Sequence, residues 1–279
     1  MPLLSINDLL APDALDRIEE AKELGSLYHE YLSGLKDGSV RHPGIHASEI
    51  SKCYRQAVYT MKGEPKVFDS SAPIETRAYW KKVLDHGTWL HDMIQTHFHD
   101  MARGSNQRIT FQSEVKLHPS AQPLAARWNI HSSCDGLFTF HVRNPNTWRF
   151  DPVLRVGLEI KSSKDSEFSK LKEPKPEHIE QVHVYMAVLD VPLFWVMYFN
   201  KDNQNITPAT PPWLVRFDRR LWERLEQRFA NWEEHIAKGT LPDPMPGPHC
   251  GFCGYKTVCN PPEHKVFTLK TPGPIRGRQ

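Results

Sequence analysis

The sequence predicts an α/β fold, and three observations carry the prediction. Apolar residues recur at three- and four-residue spacing in several long stretches, as on one face of a helix. In other, shorter stretches they alternate with polar residues or run continuously, as in half-buried or fully buried strands. The two kinds of stretch interleave along the 279 residues, enough chain for one large domain or two small ones.

Asp13 to Leu35 reads as an amphipathic helix, with Leu15, Ile18, Ala21, Leu24, Tyr28, Tyr31 and Leu35 in period. Ser48 is placed to cap a second helix running to about Met61, with Ile50, Cys53, Ala57, Val58 and Met61 on one face. A third helix spans roughly Ile74 to Met101, its stripe formed by Leu84, Gly87, His91, Ile94 and Phe98. Glycine inside a helix costs about 1 kcal/mol against alanine, so Gly87 predicts a close approach there.

Ile109 to Leu117 alternates as a half-buried strand, with Glu114 on its polar side. Trp128 to Cys134 and Gly136 to Val142 read as the next strand or hairpin arm, Arg143 to Asn146 as a turn, and Arg155 to Lys161 as a strand. Ser162 to Lys175 is a polar, lysine-rich loop. Pro176 or Glu177 opens a helix carrying Gln181 and Tyr185. Leu193 to Phe199 is a buried strand, Trp213 to Phe217 another, and Asp218 caps a helix with Leu221, Trp222, Leu225, Phe229, Trp232 and Ile236 in period.

The chemistry concentrates between Ile130 and Tyr185. Along a strand Glu159 and Lys161 share one face, while Leu158 and Ile160 point into the core. Asp135 can reach them from a neighbouring strand. Two carboxylates suit a hard divalent cation such as Mg²⁺, with water and phosphate completing its shell. A lysine beside them can orient water and offset phosphate charge. Gln181 and Tyr185, at i and i+4, lie on one helix face, where they can bond phosphate or stack on a base.

Asp135-Gly136, then Glu159-Ile160-Lys161, then Gln181-x-x-x-Tyr185 resembles the PD-(D/E)XK nuclease superfamily in its RecB-type exonuclease branch. The resemblance runs from Ser48 to Cys259. It implies a restriction-endonuclease-like core, a mixed central β-sheet flanked by helices. Gly87-x-x-x-His91 is similar to the family's histidine motif, which makes His91 a metal ligand beside Asp135, Glu159 and the Ile160 backbone carbonyl. Cys53-x-Arg55-x-x-x-Tyr59 is similar to the opening motif of the family's iron–sulfur members and puts Arg55 with Gln181 and Tyr185 as DNA-binding candidates. The catalytic set is then Asp135, Glu159, Lys161, Gln181 and Tyr185.

The five cysteines point to metal rather than disulfides in a reducing compartment. Cys250-Gly-Phe-Cys253 is a metal knuckle, Cys259 adds a third thiolate, and Cys53 is the candidate fourth. The resemblance to AddB-type and CRISPR-adaptation nucleases implies a [4Fe–4S] cluster on these four. The competing reading is a structural Zn²⁺, with Cys53, His249 or His264 as fourth ligand. Cys134 is set aside as a packing residue.

The implied protein is a Mg²⁺- or Mn²⁺-dependent DNA exonuclease acting on single-stranded ends, with flap or branch cleavage and non-catalytic DNA-end binding as alternatives. A net charge of +2 gives no global positive field, so DNA binding needs local basic surface. Neither a membrane span nor a signal peptide is legible, which predicts a soluble cytoplasmic protein. The expected layout is residues 1–105 helical with Cys53 and His91, 106–200 nuclease core, 201–262 strand, helix and cysteines, and 263–279 a basic tail.

Overall fold

The computed structural model describes residues 42–66, 74–207 and 212–259, and helical residues at 26–28, 30–32 and 34. Most of the expected Asp13–Leu35 helix, the basic tail and His264 lie outside them. Residues 42–66 and 89–259 form one unit; 26–34 and 74–88 belong to a second. In chain order the helices are α1 (Tyr54–Met61), α2 (Ile74–Gly104), α3 (Pro123–Trp128), α4 (Asp165–Phe168), α5 (Pro176–Leu189), α6 (Arg219–Ala237) and α7 (Lys256–Cys259). The strands are β1 (Ile109–Leu117), β2 (Ser132–Arg143), β3 (Phe150–Ser163), β4 (Leu193–Asn200), β5 (Ile206–Thr207) and β6 (Leu214–Arg216).

The sheet is mixed. Its order is β1-β2-β3-β4, with β5 and β6 sharing the far edge of β4. Strands β1, β2 and β3 are antiparallel neighbours. Strand β4 lies parallel to β3, so α5 serves as the crossover that a parallel pair needs. Pro176 starts α5 where its missing N–H costs nothing, and Asp190 ends it in the left-handed region at φ 52°. Asp218 caps α6 by accepting the Arg220 N–H.

The pleat sorts the core onto two faces. Leu158 and Ile160, fully buried, pack with Leu90 and Ile94 of α2 and with Phe111, Phe138 and Met197. Val196 and Tyr198 face the other way, toward α5, α6 and α1, where Val182, Met186, Phe229, Trp232 and Val58 close the larger cluster. Gly136, next to Asp135, leaves room for the Phe111 ring: a Cβ there would stand 2.4 Å from Cε2.

Three expectations are corrected. Ser48 sits inside a 3₁₀ turn, Ala47–Glu49, and α1 begins only at Tyr54 with Cys53 as its N-cap. Trp128 ends helix α3 instead of starting a strand, because Pro123 opens that helix and Asn129, at φ 48°, closes it. Gly87 accommodates no close approach: among the described residues nothing lies within 4 Å of where its Cβ would be. No helix among the described residues is long and apolar enough to cross a membrane.

Candidate active site

The register of β2 and β3 pairs Gly136 with Leu158, which sets Asp135 across from Glu159. One Asp135 oxygen accepts the Ile160 backbone N–H at 2.5 Å, and the other lies 3.1 Å from His91 Nδ1. Gln95, buried on α2 one turn beyond His91, donates to the Asp135 carbonyl at 2.9 Å and to Glu114 at 2.8 Å. Helix α2 thus fixes Asp135 by side chain and by backbone.

Glu159 is 3% exposed. Its Oε1 is 2.6 Å from Lys161 Nζ and accepts from Gln181 Nε2 at 2.7 Å. Its Oε2 is buried and meets no hydrogen-bond partner among the described residues. Lys161 donates to Gln181 Oε1 at 3.0 Å, and Gln181 Nε2 also donates to Tyr185 at 2.7 Å. Gln181 therefore bridges Glu159, Lys161 and Tyr185 by itself.

The electrostatics follow from burial. Burial, followed by the Asp135 charge, pushes the Glu159 carboxyl up to about 7, against the opposing pull of Lys161 and His91. For His91 burial is the largest influence and lowers its pKa. The hydrogen bond and charge of Asp135, with Glu159, outweigh it and leave the imidazole raised. Each shift favours compensating charge at the site: a cation beside Glu159 relieves what burial costs.

Two DNA-binding candidates are corrected here. Tyr185 is 2% exposed and Gln181 5%, so neither offers a base or phosphate an open surface. From Gln181 onward helix α5 is buried nearly all round, and Gln181 turns inward onto Glu159. Arg55 is the third correction. Its guanidinium donates to the Pro242 carbonyl at 2.6 Å, and to the Cys259 carbonyl at 3.4 Å and its sulfur at 3.9 Å, clasping the C-terminal segment. The Ile160 N–H, donated to Asp135, ties that residue to the site.

Sequence reasoning missed two neighbours, Gln95 and His178. Gln95 carries no motif. Glu114 reads from the sequence as an exposed strand glutamate or a further carboxylate near the metals; it lies opposite Asp135, with φ 50°, a strained value for a residue with a side chain, and accepts from Ser133 at 3.3 Å. His178 stands one turn before Gln181 on α5; its i, i+3, i+7 spacing with Gln181 and Tyr185 was the available signal.

Away from this site, Cys53, Cys250, Cys253 and Cys259 line one small cleft, partly open to solvent, with Arg55 and His249. The helix of Tyr59 is tied to this end of the chain. Tyr59 donates to the Val258 carbonyl at 3.2 Å and stacks on Tyr255 at 5.2 Å. Thr60 Oγ1 is 3.0 Å from the Tyr255 hydroxyl. Burial, then Cys53, Cys250 and Cys259, raise the Cys253 thiol. Cys134 is fully buried on β2, outside this cleft, its thiol held far above the ordinary range by burial and by Glu159 and Asp135.

No three His, Cys, Asp or Glu side chains among the described residues are drawn together tightly enough to hold one ion. At the carboxylate site, Glu159 Oε2, buried and without a hydrogen-bond partner among the described residues, is the atom that a hard cation would fit.

Fold and site together define a mixed α/β protein with a buried carboxylate–lysine centre and a four-thiol cleft. No protein-family model matches the chain, and no curated protein matches it in sequence. Among solved structures it is similar to SSO0001, at TM-score 0.42 and 14% identity over 86% of this chain and 95% of that one. It is also similar to an alkaline exonuclease, LHK-Exo, from Laribacter hongkongensis, at TM-score 0.43 and 12% identity over 71% of this chain and 90% of that one. The same exonuclease in complex with dAMP gives TM-score 0.40 and 13% identity over 77% of this chain and 93% of that one.

Proposed function

We propose that this protein is a Mg²⁺- or Mn²⁺-dependent deoxyribonuclease that hydrolyses phosphodiester bonds from DNA ends. The observation that carries the reading is Glu159 Oε2, buried and unpartnered beside Asp135 and Lys161. Asp135 and Glu159 would hold the ion, with the Ile160 carbonyl and His91 as the remaining protein donors. When bound, the ion supplies Lewis-acid stabilisation of the charge that develops on the phosphate. Lys161, steered by Glu159 and Gln181, faces the reacting phosphate and steadies the attacking water. Gln181 and Tyr185 position that lysine from behind. The choice of single-stranded ends rests on the family resemblance. The test is a panel of end-labelled single and double strands, with free and blocked ends, incubated with Mg²⁺, Mn²⁺ or EDTA. Metal-dependent release of nucleotides from free ends supports the reading; cleavage of end-blocked substrates makes the protein an endonuclease.

The same proposal assigns Cys53, Cys250, Cys253 and Cys259 to a structural [4Fe–4S] cluster, supported by their shared cleft. A second reading, Zn²⁺, is favoured by one observation: His249 Nε2 is buried without a partner among the described residues at the edge of that cleft, an available nitrogen for a zinc site. Metal content and colour of anaerobically purified protein separate the two.

A further inference from the structure

His178 lies on the face of α5 that carries Gln181 and Tyr185, one turn nearer the helix start. Its Nδ1 is 2.7 Å from the Tyr198 hydroxyl, and Tyr198 is the cross-strand partner of Lys161. That hydroxyl already accepts the Lys175 backbone N–H at 2.9 Å. Tyr198 is 1% exposed, and among the described residues its own proton has no acceptor other than His178 Nδ1. The hydroxyl therefore donates to Nδ1, which places the imidazole proton on Nε2. Nε2 makes no hydrogen bond within the described protein and is not sealed from solvent. The arrangement presents a fixed N–H donor, held by a buried tyrosine, on the row that continues to Lys161.

We propose that His178 contacts the substrate directly, its Nε2–H donating to a non-bridging oxygen of a DNA phosphate adjacent to the one that Lys161 faces. The inference rests on the nuclease reading and deepens it by adding a strand-holding residue outside the carboxylate–lysine set. Burial, then the Lys161 and Lys175 charges, push the ring down to about 3, so it acts as a neutral donor at working pH and passes no proton.

The test is binding of a fluorescent single-stranded oligonucleotide in EDTA, where nothing is cut, with phosphates replaced one at a time by uncharged methylphosphonate. Wild-type protein should lose about tenfold affinity at one position, the size of a hydrogen bond to a charged group. His178→Phe should bind about tenfold more weakly throughout and show no further loss at that position, while His178→Gln recovers part of both. A merely structural histidine would leave the position-specific loss in place in His178→Phe, and that result overturns the inference. Thermal melting checks folding; if His178→Phe does not fold, a His178→Gln profile identical to the wild type overturns it equally. Wild-type protein that neither binds nor cuts DNA defeats the nuclease reading itself, whereas wild-type cutting with an unaltered His178→Phe profile defeats this inference alone.

Discussion

Lys161 Nζ lies 2.6 Å from Glu159 Oε1, while the other oxygen of that carboxylate is buried and meets no partner among the described residues. The pair is held from behind by Gln181, which accepts from the lysine and donates to the glutamate. One oxygen of the carboxylate is thus satisfied and the other is not, which is the opening that the proposed cation would fill. A purely structural ion pair would gain nothing from an orphaned oxygen, since an unpaired buried acceptor costs stability.

Lys161→Ala is expected to keep the fold and DNA binding but to slow cleavage by at least ~10²-fold, the scale of losing a positioned group at the reacting phosphate. Single-turnover rates with a labelled strand measure it. Near-wild-type rates would remove Lys161 from the active site.

Gln181→Ala should lower kcat by about tenfold or more with little change in DNA affinity, because the amide orients Lys161 and Glu159 and is itself buried. Separate kcat and Kd measurements decide the point. An affinity loss at unchanged kcat would mean that the glutamine touches the strand after all.

Glu159 makes stability depend on pH. Its folded pKa, about 7, stands above the unfolded value near 4.5. The stability it contributes is present below pH 4.5 and is lost as pH rises through 7. Metal-free wild-type protein should therefore weaken relative to Glu159→Gln between pH 5 and pH 8, by on the order of 3 kcal/mol. Mg²⁺ should restore the wild type at pH 8 and leave the variant unchanged. Urea midpoints at both pH values check this, and parallel curves for the two proteins would contradict it.

The cysteine cleft carries a separate prediction. Anaerobic protein should be brown, with absorbance near ~400 nm from thiolate-ligated iron. Cys53→Ser, Cys250→Ser, Cys253→Ser or Cys259→Ser should each bleach it and lower solubility, since the ligands join α1 to the chain's end. Cys134→Ser should keep the colour. A colourless protein with one tightly held zinc would leave the staple and refute the cluster; bleaching by Cys134→Ser alone would refute the ligand set.

Much of this was legible because it is periodic. The alternation in Ile109–Leu117 gives the extent of β1, although Phe111 and Leu117 join different core clusters on either side of the strained Glu114, and the spacing of Glu159 and Lys161 puts both on one face. What the sequence hid depends on what packs where. A helix face is symmetrical until its surroundings are known. The side of α5 bearing Gln181 and Tyr185 reads as open to DNA, yet from Gln181 onward the sheet covers it and turns those residues into supports. Arg55 sits beside Cys53 in the chain but spends its donors on Pro242, some 187 residues away. Gln95 and the strained Glu114 matter only because α2 and β1 meet at Asp135. Asn129, whose left-handed backbone stops α3, is ordinary in composition.

The most direct test of the central claim is the Mg²⁺ dependence of cleavage of an end-labelled single strand, measured for anaerobically purified wild type and for Glu159→Gln. The expected result is digestion by the wild type that rises with Mg²⁺ and stops in EDTA, with the variant at least ~10²-fold slower at every concentration. Digestion by Glu159→Gln at the wild-type rate, or wild-type digestion that persists in EDTA, would contradict the account.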